Sequence, residues 1–322
     1  MADTDWRNQT TVIVFILLGF GKLPDIQILL FLLFLVIYIA TMATNTLSMV
    51  LVVTDRHLHT PMGTLSSLET CYASTILPRV LASLLTEDRT ISVSACFTQM
   101  YFFGFLAATE CYLLVAMSYD RYLAICKPLH YSTLMNTRFC LQLAAGSWVN
   151  GCLTIAIFIL FLSQLIFCGP NEIDHFYCDS IPLMELSCSD THLVILMDFF
   201  LVCVFSLPPC LLTLTSYVCI ITTILRIPSS TRRKKAFSTC SSHLIVVTVF
   251  YRALMIVYLL PKHESLQELN KVLSLCYTVL TPLVNPLIYS LRNRVVKAAL
   301  SEAIRKCGFQ KTMQRLRDNN LT

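Results

Sequence analysis

Charge is what this sequence has least of. Asp, Glu, Lys and Arg make up 13% of its 322 residues, against roughly a quarter in ordinary soluble domains. Hydrophobic residues make up 56%, and the mean hydropathy is +0.67. So little polar surface points to lipid as the main solvent. The chain also lacks internal repeats, low-complexity runs and any stretch polar enough to be a separate soluble domain. No metal-binding His pair or nucleophile motif lies in a plausible site, so an enzyme is the least supported class and no cofactor is implied. Residues Met1 to Gly21 lack the basic start, apolar core and small-residue cleavage site of a removable leader, so the first apolar span is expected to act as signal anchor.

What is present is a series of long apolar runs. About 20 such residues cross ~30 Å of hydrocarbon at ~1.5 Å per residue, and seven runs qualify: Ile26–Val53, Met62–Leu85, Cys96–Met117, Phe139–Phe161, Val194–Leu225, Ala236–Leu260 and Leu269–Leu291. The second is the weakest, because it carries Glu69 and Arg79. The expected fold is therefore an all-α membrane protein, a seven-transmembrane helix bundle. Lys and Arg are retained on the cytoplasmic side. Placing the N-terminus outside puts most of the 24 basic residues there, including Arg121, Lys127, Arg138, the run Arg232–Lys235 and the tail from Arg292. The segment from Gln164 to Leu193, on the other side, carries acids and no base. The net charge of +5 thus reads as a topology signal and not as nucleic-acid binding. Residues 1–25 are expected as an extracellular tail, 26–291 as the membrane domain, and 292–322 as a cytoplasmic amphipathic helix and tail.

Two features bear on that orientation. Asn8-Gln9-Thr10 is a glycosylation acceptor, usable only on the lumenal side. Cys96, Cys168, Cys178 and Cys188 fall on the outer face, where disulfides persist. Four cysteines allow three pairings, and spacing alone does not choose among them. Prolines 78, 208, 209, 261, 282 and 286 lie in or at the ends of spans, where neighbouring groups satisfy the freed carbonyls.

The third span ends on Asp120-Arg121-Tyr122, and ionisable groups at that depth are costly unless paired or wet. Here the motifs become specific. The stretches LHTPM at 58–62, MSYDRYLAICKPLHY at 117–131, CGPNEIDHFYCD at 168–179, KAFSTCSSHL at 235–244 and PLVNPLIYSLRN at 282–293 occur in one order across nearly the whole chain. In them the chain resembles the rhodopsin-like G protein-coupled receptors, and among those the olfactory receptor family closely.

That resemblance implies a receptor in which Asp120 holds Arg121 until the cytoplasmic helix ends part and admit a G protein. Tyr122, Tyr217, Lys235, His243 and Tyr289 match family positions near that opening. Glu69 and Glu110 lie within spans, and the resemblance places them with Asn45 and Asn285 in the bundle core, around a sodium ion or water; a neutral hydrogen-bonded cluster is the competing reading. Phe103, Gly104, Ala107, Ala108, Val202, Phe205, Ser206, Tyr251, Met255, Tyr258 and Thr278 correspond to the family's pocket-lining region, with lipid-facing or core packing as the plainer alternative for each. Such a wall suits a small, largely hydrophobic, volatile ligand with one polar handle.

The resemblance also implies disulfides Cys96–Cys178 and Cys168–Cys188. These displace a reading of His175 to Asp179 as metal ligands, since a bridged cysteine is no thiolate ligand. Cys307, beside Arg305 and Lys306, is a palmitoylation candidate on a short helix along the inner leaflet. The expected partners are an odorant, a stimulatory G protein of the olfactory type, membrane lipid and export chaperones; the expected location is the plasma membrane, in sensory cilia.

Two positions depart from the family. Pro61-Met62 runs straight into Gly63-Thr64 where the family continues PMYFFL, so about one turn of the second span, ~6 Å, is missing. Arg252 stands where Gly usually follows Phe-Tyr. In a span it costs ~2.5–3.5 kcal/mol on insertion scales, unless it anchors an acidic ligand in the pocket. The alternatives are a degenerate, non-signalling receptor, or an ion-conducting protein using Glu69, Arg79, Glu110 and Arg252.

Overall fold

The computed structural model describes residues 12–21, 24–54, 61–168, 170–259 and 267–292. Asn8 and Cys307 lie outside the described residues, as do the side chains of Lys235, Tyr258 and Tyr289. Seven helices of 26 to 34 residues make up most of the described chain: α1 (Pro24–Thr54), α2 (Pro61–Thr86), α3 (Val93–Cys126), α5 (Thr137–Leu162), α7 (His192–Leu225), α8 (Ser230–Leu259) and α9 (Gln267–Arg292). Two short ones, α4 (Pro128–Leu134) and α6 (Ser180–Glu185), lie between them. Each long helix coincides with one of the seven apolar runs.

Among the described residues four helices, α1, α3, α5 and α7, are apolar enough over membrane length to span hydrocarbon by composition alone. They turn large apolar side chains outward: Ile28 is 74% exposed, Leu29 66% and Val36 64% on α1, and α7 exposes Leu211, Leu214 and Val218. So continuous an apolar surface is sustainable against lipid and not against water. Prolines 78, 208, 209, 282 and 286 sit inside α2, α7 and α9, which continue through them.

Helix starts follow local chemistry. Ser92 Oγ accepts the Ala95 amide at 3.2 Å to cap α3, and Asn136 Oδ1 accepts the Phe139 amide at 2.9 Å to cap α5. Pro61 and Pro128 open α2 and α4, where a missing N–H costs nothing.

Helix α3 is central, packing against α2, α5, α7 and α8. Its approach to α5 depends on Gly151: a Cβ there would lie 2.4 Å from Thr109 Oγ1 and 3.0 Å from the Phe105 carbonyl oxygen. No larger residue permits that contact.

One end of the bundle is closed by residues 163–191, the lid, which joins α5 to α7 and contains α6. The disulfide Cys96–Cys178 (Cα–Cα 5.4 Å) ties it to α3, and Cys168–Cys188 (5.8 Å) closes it on itself. Lys271 of α9 forms an ion pair with Asp174 of the lid and lies 5.7 Å from the Phe176 ring centroid.

The segment read as an outer tail holds an element that the sequence did not suggest. Strand β1 (Val14–Leu17) is the middle strand of a three-stranded sheet with β2 (Thr90–Ser92) and β3 (Glu172–Ile173). It pairs antiparallel to β2, Phe15 opposite Ile91, and parallel to β3, Ile16 opposite Glu172. Phe15 is fully buried, edge-on to Phe167 at 5.4 Å. A four-residue strand has no core of its own; it is stabilised by docking against the lid and the α2–α3 connection.

Candidate functional site

Beneath the lid lies a cavity of about 120 Å³, walled by α3, α5, α7 and α8 and roofed by Asp179 and Ser180. Phe103, Gly104, Ala107 and Ala108 of α3 and Val202, Phe205 and Ser206 of α7 all line it. The room comes from small side chains on successive turns of α3: Gly104 lets Ile155 of α5 approach, its Cδ1 being 3.2 Å from where a Cβ would sit. For scale, an apolar cavity of about 150 Å³ takes up benzene.

The remaining expected pocket residues lie elsewhere. Tyr251 is buried and donates its hydroxyl to the Cys111 carbonyl at 3.2 Å; Cys111, not Tyr251, reaches the cavity. Met255 is half-buried and Thr278 buried, and neither lines this cavity. Arg252 is exposed and absent from the lining of this cavity, which counts against the alternative that it anchors an acidic ligand there. The turn that buries Tyr251 rotates its neighbour by about 100° out of the bundle. Sequence reasoning missed Thr154, Ile155 and Phe158 of α5 and, above all, Asp198 of α7. Asp198 is the one charged residue inside that 34-residue helix, a signal that was available.

Deeper in the bundle, Asn285 of α9 donates its amide to Glu69 Oε1 of α2 and to Glu110 Oε1 of α3, the latter at 3.4 Å. Asn45 Nδ2 of α1 bonds the Thr41 and Pro282 carbonyls, both at 3.0 Å, instead of the acids. All four residues are at most 2% exposed. Asn45 Oδ1 and Glu69 Oε2 are buried without a hydrogen-bond partner. Among the described residues no three His, Cys, Asp or Glu side chains are grouped to hold a metal.

At the end opposite the lid, Asp120 Oδ2 lies 3.9 Å from Arg121 Nε. Asp120 Oδ1 accepts a hydrogen bond from Tyr131 of α4 at 2.9 Å. Partial burial, then the facing Asp120 carboxylate, push the Tyr131 phenol up to about 12, so it remains a donor. Tyr131 lies within the quoted motif yet was assigned no role from sequence. Tyr122 stacks with Tyr119 at 6.3 Å. Across the bundle Tyr217 of α7 hydrogen-bonds His243 Nδ1 of α8, their rings 5.8 Å apart.

The bundle thus holds buried polar contacts in its core, a lidded cavity toward one end and an Asp-Arg pair at the other, and comparison with known proteins decides the family. A sequence model of olfactory receptors matches residues 34–306. The chain belongs to the olfactory receptor family. It is 46% identical to human olfactory receptor 6N1 over 309 residues, covering 95% of this chain and 99% of that protein. It is 48% identical to human olfactory receptor 6B1 over 300 residues, 92% and 96% of the two chains. With mouse olfactory receptor 5AP2 it shares 46% over 305 residues, 92% and 95%. The receptor is accordingly a multi-pass membrane protein of the G protein-coupled class, with the seven-helix bundle of that family, and not an enzyme.

Proposed function

We propose that this receptor sits in the plasma membrane with its N-terminus outside, binds a small, largely hydrophobic odorant in the lidded cavity, and activates a stimulatory olfactory-type G protein to raise cyclic AMP. The observation that carries the reading is the cavity: residues expected from family resemblance on two separate helices, α3 and α7, converge on one space under the lid. Ligands act on such a bundle only by binding its two states unequally. A cavity whose walls belong to α3, α5, α7 and α8 changes shape when those helices shift.

The Asp120–Arg121 pair, with Tyr131, Tyr217, His243, Lys235 and Tyr289, forms the proposed coupling end, and Asn8 and Cys307 the proposed modification sites. The oxygen Glu69 Oε2, unpartnered in the core where Asn285 joins Glu69 to Glu110, favours a sodium ion there as a modulator, since hard cations take oxygen ligands. Export chaperones are the proposed partners in delivery to cilia.

The test is cyclic AMP in cells expressing the chain with an olfactory G protein and an export chaperone, across a panel of small volatiles, with surface staining in parallel. An odorant-dependent rise that is lost in Arg121→Ala is the expected result. Full surface staining with no response across a broad panel counts against a working receptor, and ligand-independent ion flux would favour the conducting alternative.

A further inference from the structure

We propose that the lidded cavity is selective for small apolar molecules carrying one protonated amine, with Asp198 of α7 as the ammonium partner and Asp179 of the lid beside it. This rests on the cavity being the odorant site. Among the described residues its lining includes two carboxylates and no Lys, Arg or His, with hydroxyls such as Ser206 beside them. The sign of the charge is the informative feature. An ammonium entering an apolar cavity is costly unless it is paired there, and two acids supply the pair. A carboxylate ligand would meet only like charge, and Arg252, the cation that the sequence offered, lies outside the lining.

Position fixes the ligand's orientation. Asp179 caps α6, its Oδ1 accepting the Ser180 amide at 2.8 Å, and Asp198 lies six residues into α7, about 9 Å from its start. Asp179 belongs to the lid and Asp198 to the first turns of α7, whereas Ser206 lies about 21 Å into α7 and Cys111 about 27 Å into α3. The ammonium is therefore held at the lid end and the apolar body points inward. Asp198 lies within an otherwise uncharged apolar helix, where an acid is costly to keep. A carboxylate offers about four acceptor positions, so bonds that either acid already makes leave room for an ammonium. Charge-assisted hydrogen bonds are roughly twice as strong as neutral ones, which separates an amine from the alcohol of the same shape.

The test uses the full chain purified in lipid nanodiscs at pH 7.4, with thermal stabilisation read against cyclohexylamine, cyclohexanol and cyclohexanecarboxylic acid. The expected result is that the amine stabilises at about tenfold lower concentration than the alcohol, equivalent to ~1.4 kcal/mol, and that the acid gives no stabilisation. In Asp198→Asn the amine advantage falls away while the alcohol response stays; Asp198→Glu keeps it. Unliganded melting of each variant checks folding, and the three-ligand comparison on the unaltered chain decides the matter even if Asp198→Asn does not fold. Equal potency of amine and alcohol, preference for the acid, or an amine advantage intact in a folded Asp198→Asn overturns the proposal while leaving the cavity as an odorant site. A folded chain that none of the three stabilises overturns the cavity reading and the amine selectivity with it.

Discussion

Tyr131 of α4 donates its phenolic hydrogen to the Asp120 carboxylate across 2.9 Å, on the oxygen not facing Arg121. The phenol thus fixes the acid that fixes the arginine. A hydrogen bond to a charged group contributes about 1.5–3 kcal/mol, enough to shift a two-state equilibrium roughly tenfold or more. Tyr131→Phe keeps the ring and removes the bond, so it is expected to raise basal cyclic AMP several-fold per receptor at the surface. Basal signal normalised to surface staining measures this; an unchanged ratio means that Tyr131 does not hold the inactive arrangement.

The contact of α3 with α5 gives a second expectation. Gly151 leaves no room for a Cβ against Thr109 Oγ1, and the Phe105 carbonyl and Thr109 amide stand behind it at 3.0 Å. Overpacking of this kind costs typically ~1–3 kcal/mol. Gly151→Ala should lower the melting temperature and surface expression, and Gly151→Ala with Thr109→Ala should recover only part of the loss, because backbone atoms remain in the way. Full recovery would assign the clash to the threonine side chain alone.

Neither Tyr131 nor Gly151 was legible in the sequence, whereas the long helices were. Seven apolar runs gave seven helices because a lipid-crossing segment must satisfy its own backbone, and a length requirement is readable from composition. Glu69 and Glu110 were visible too, since acids within such runs stand out, whereas their grouping with Asn285 came from the resemblance and not from the residue pattern. Strand β1 was not, because its partners at 90–92 and 172–173 lie far along the chain and an apolar stretch beside a membrane span reads as part of the same hydrophobic pattern. The contribution of α5 to the cavity was hidden for a related reason. On a helix apolar on all sides, nothing in the residue pattern tells the face toward a cavity from the face toward lipid. Arg252 and its sequence neighbour Tyr251 part company because adjacent helical residues do not share a face: Tyr251 is buried and Arg252 exposed.

The lid carries a pH dependence. His175 is 4% exposed, stacked edge-on to Tyr177 at 4.3 Å, with Asp179, Asp174 and Lys271 as the charges acting on it. Burial holds its imidazole below the ordinary value of 6.5, so the folded lid keeps it neutral while the unfolded chain takes up a proton. The unfolded state therefore binds more protons below pH 6.5, and stability falls with pH there. The purified receptor should lose thermal stability between pH 7 and 5, and His175→Phe should lose less over the same range. Parallel curves for the two proteins would mean that other groups set the dependence.

Cavity size should govern ligand size. Gly104 lines the cavity, and a Cβ there would lie 3.2 Å from Ile155 Cδ1, so Gly104→Val fills space needed by a ligand and pushes on α5. Responses to the bulkiest agonists should be lost first, with surface staining little changed. Potency unchanged for large and small agonists alike would place the ligand elsewhere.

The shortened second span leads to a prediction about delivery. Asn285 bonds both Glu69 and Glu110, so α2 and α3 are at a common depth at those residues. From Glu110 to Arg121 α3 runs eleven residues, about 16 Å, whereas α2 has only eight residues between Pro61 and Glu69, about 12 Å. The core contact is thus kept and the shortfall of nearly a turn falls at the Arg121 end, next to residues 55–60, which lie outside the described residues. A helix that ends early brings its polar connection toward hydrocarbon, where unsatisfied backbone groups cost several kcal/mol each. Inserting Tyr-Phe-Phe-Leu after Met62 should restore the length and raise surface staining severalfold, without moving Glu69 from Asn285. Unchanged staining with unchanged signalling would mean that the connection between α1 and α2 already absorbs the missing turn, and the degenerate-receptor alternative would lose its physical basis.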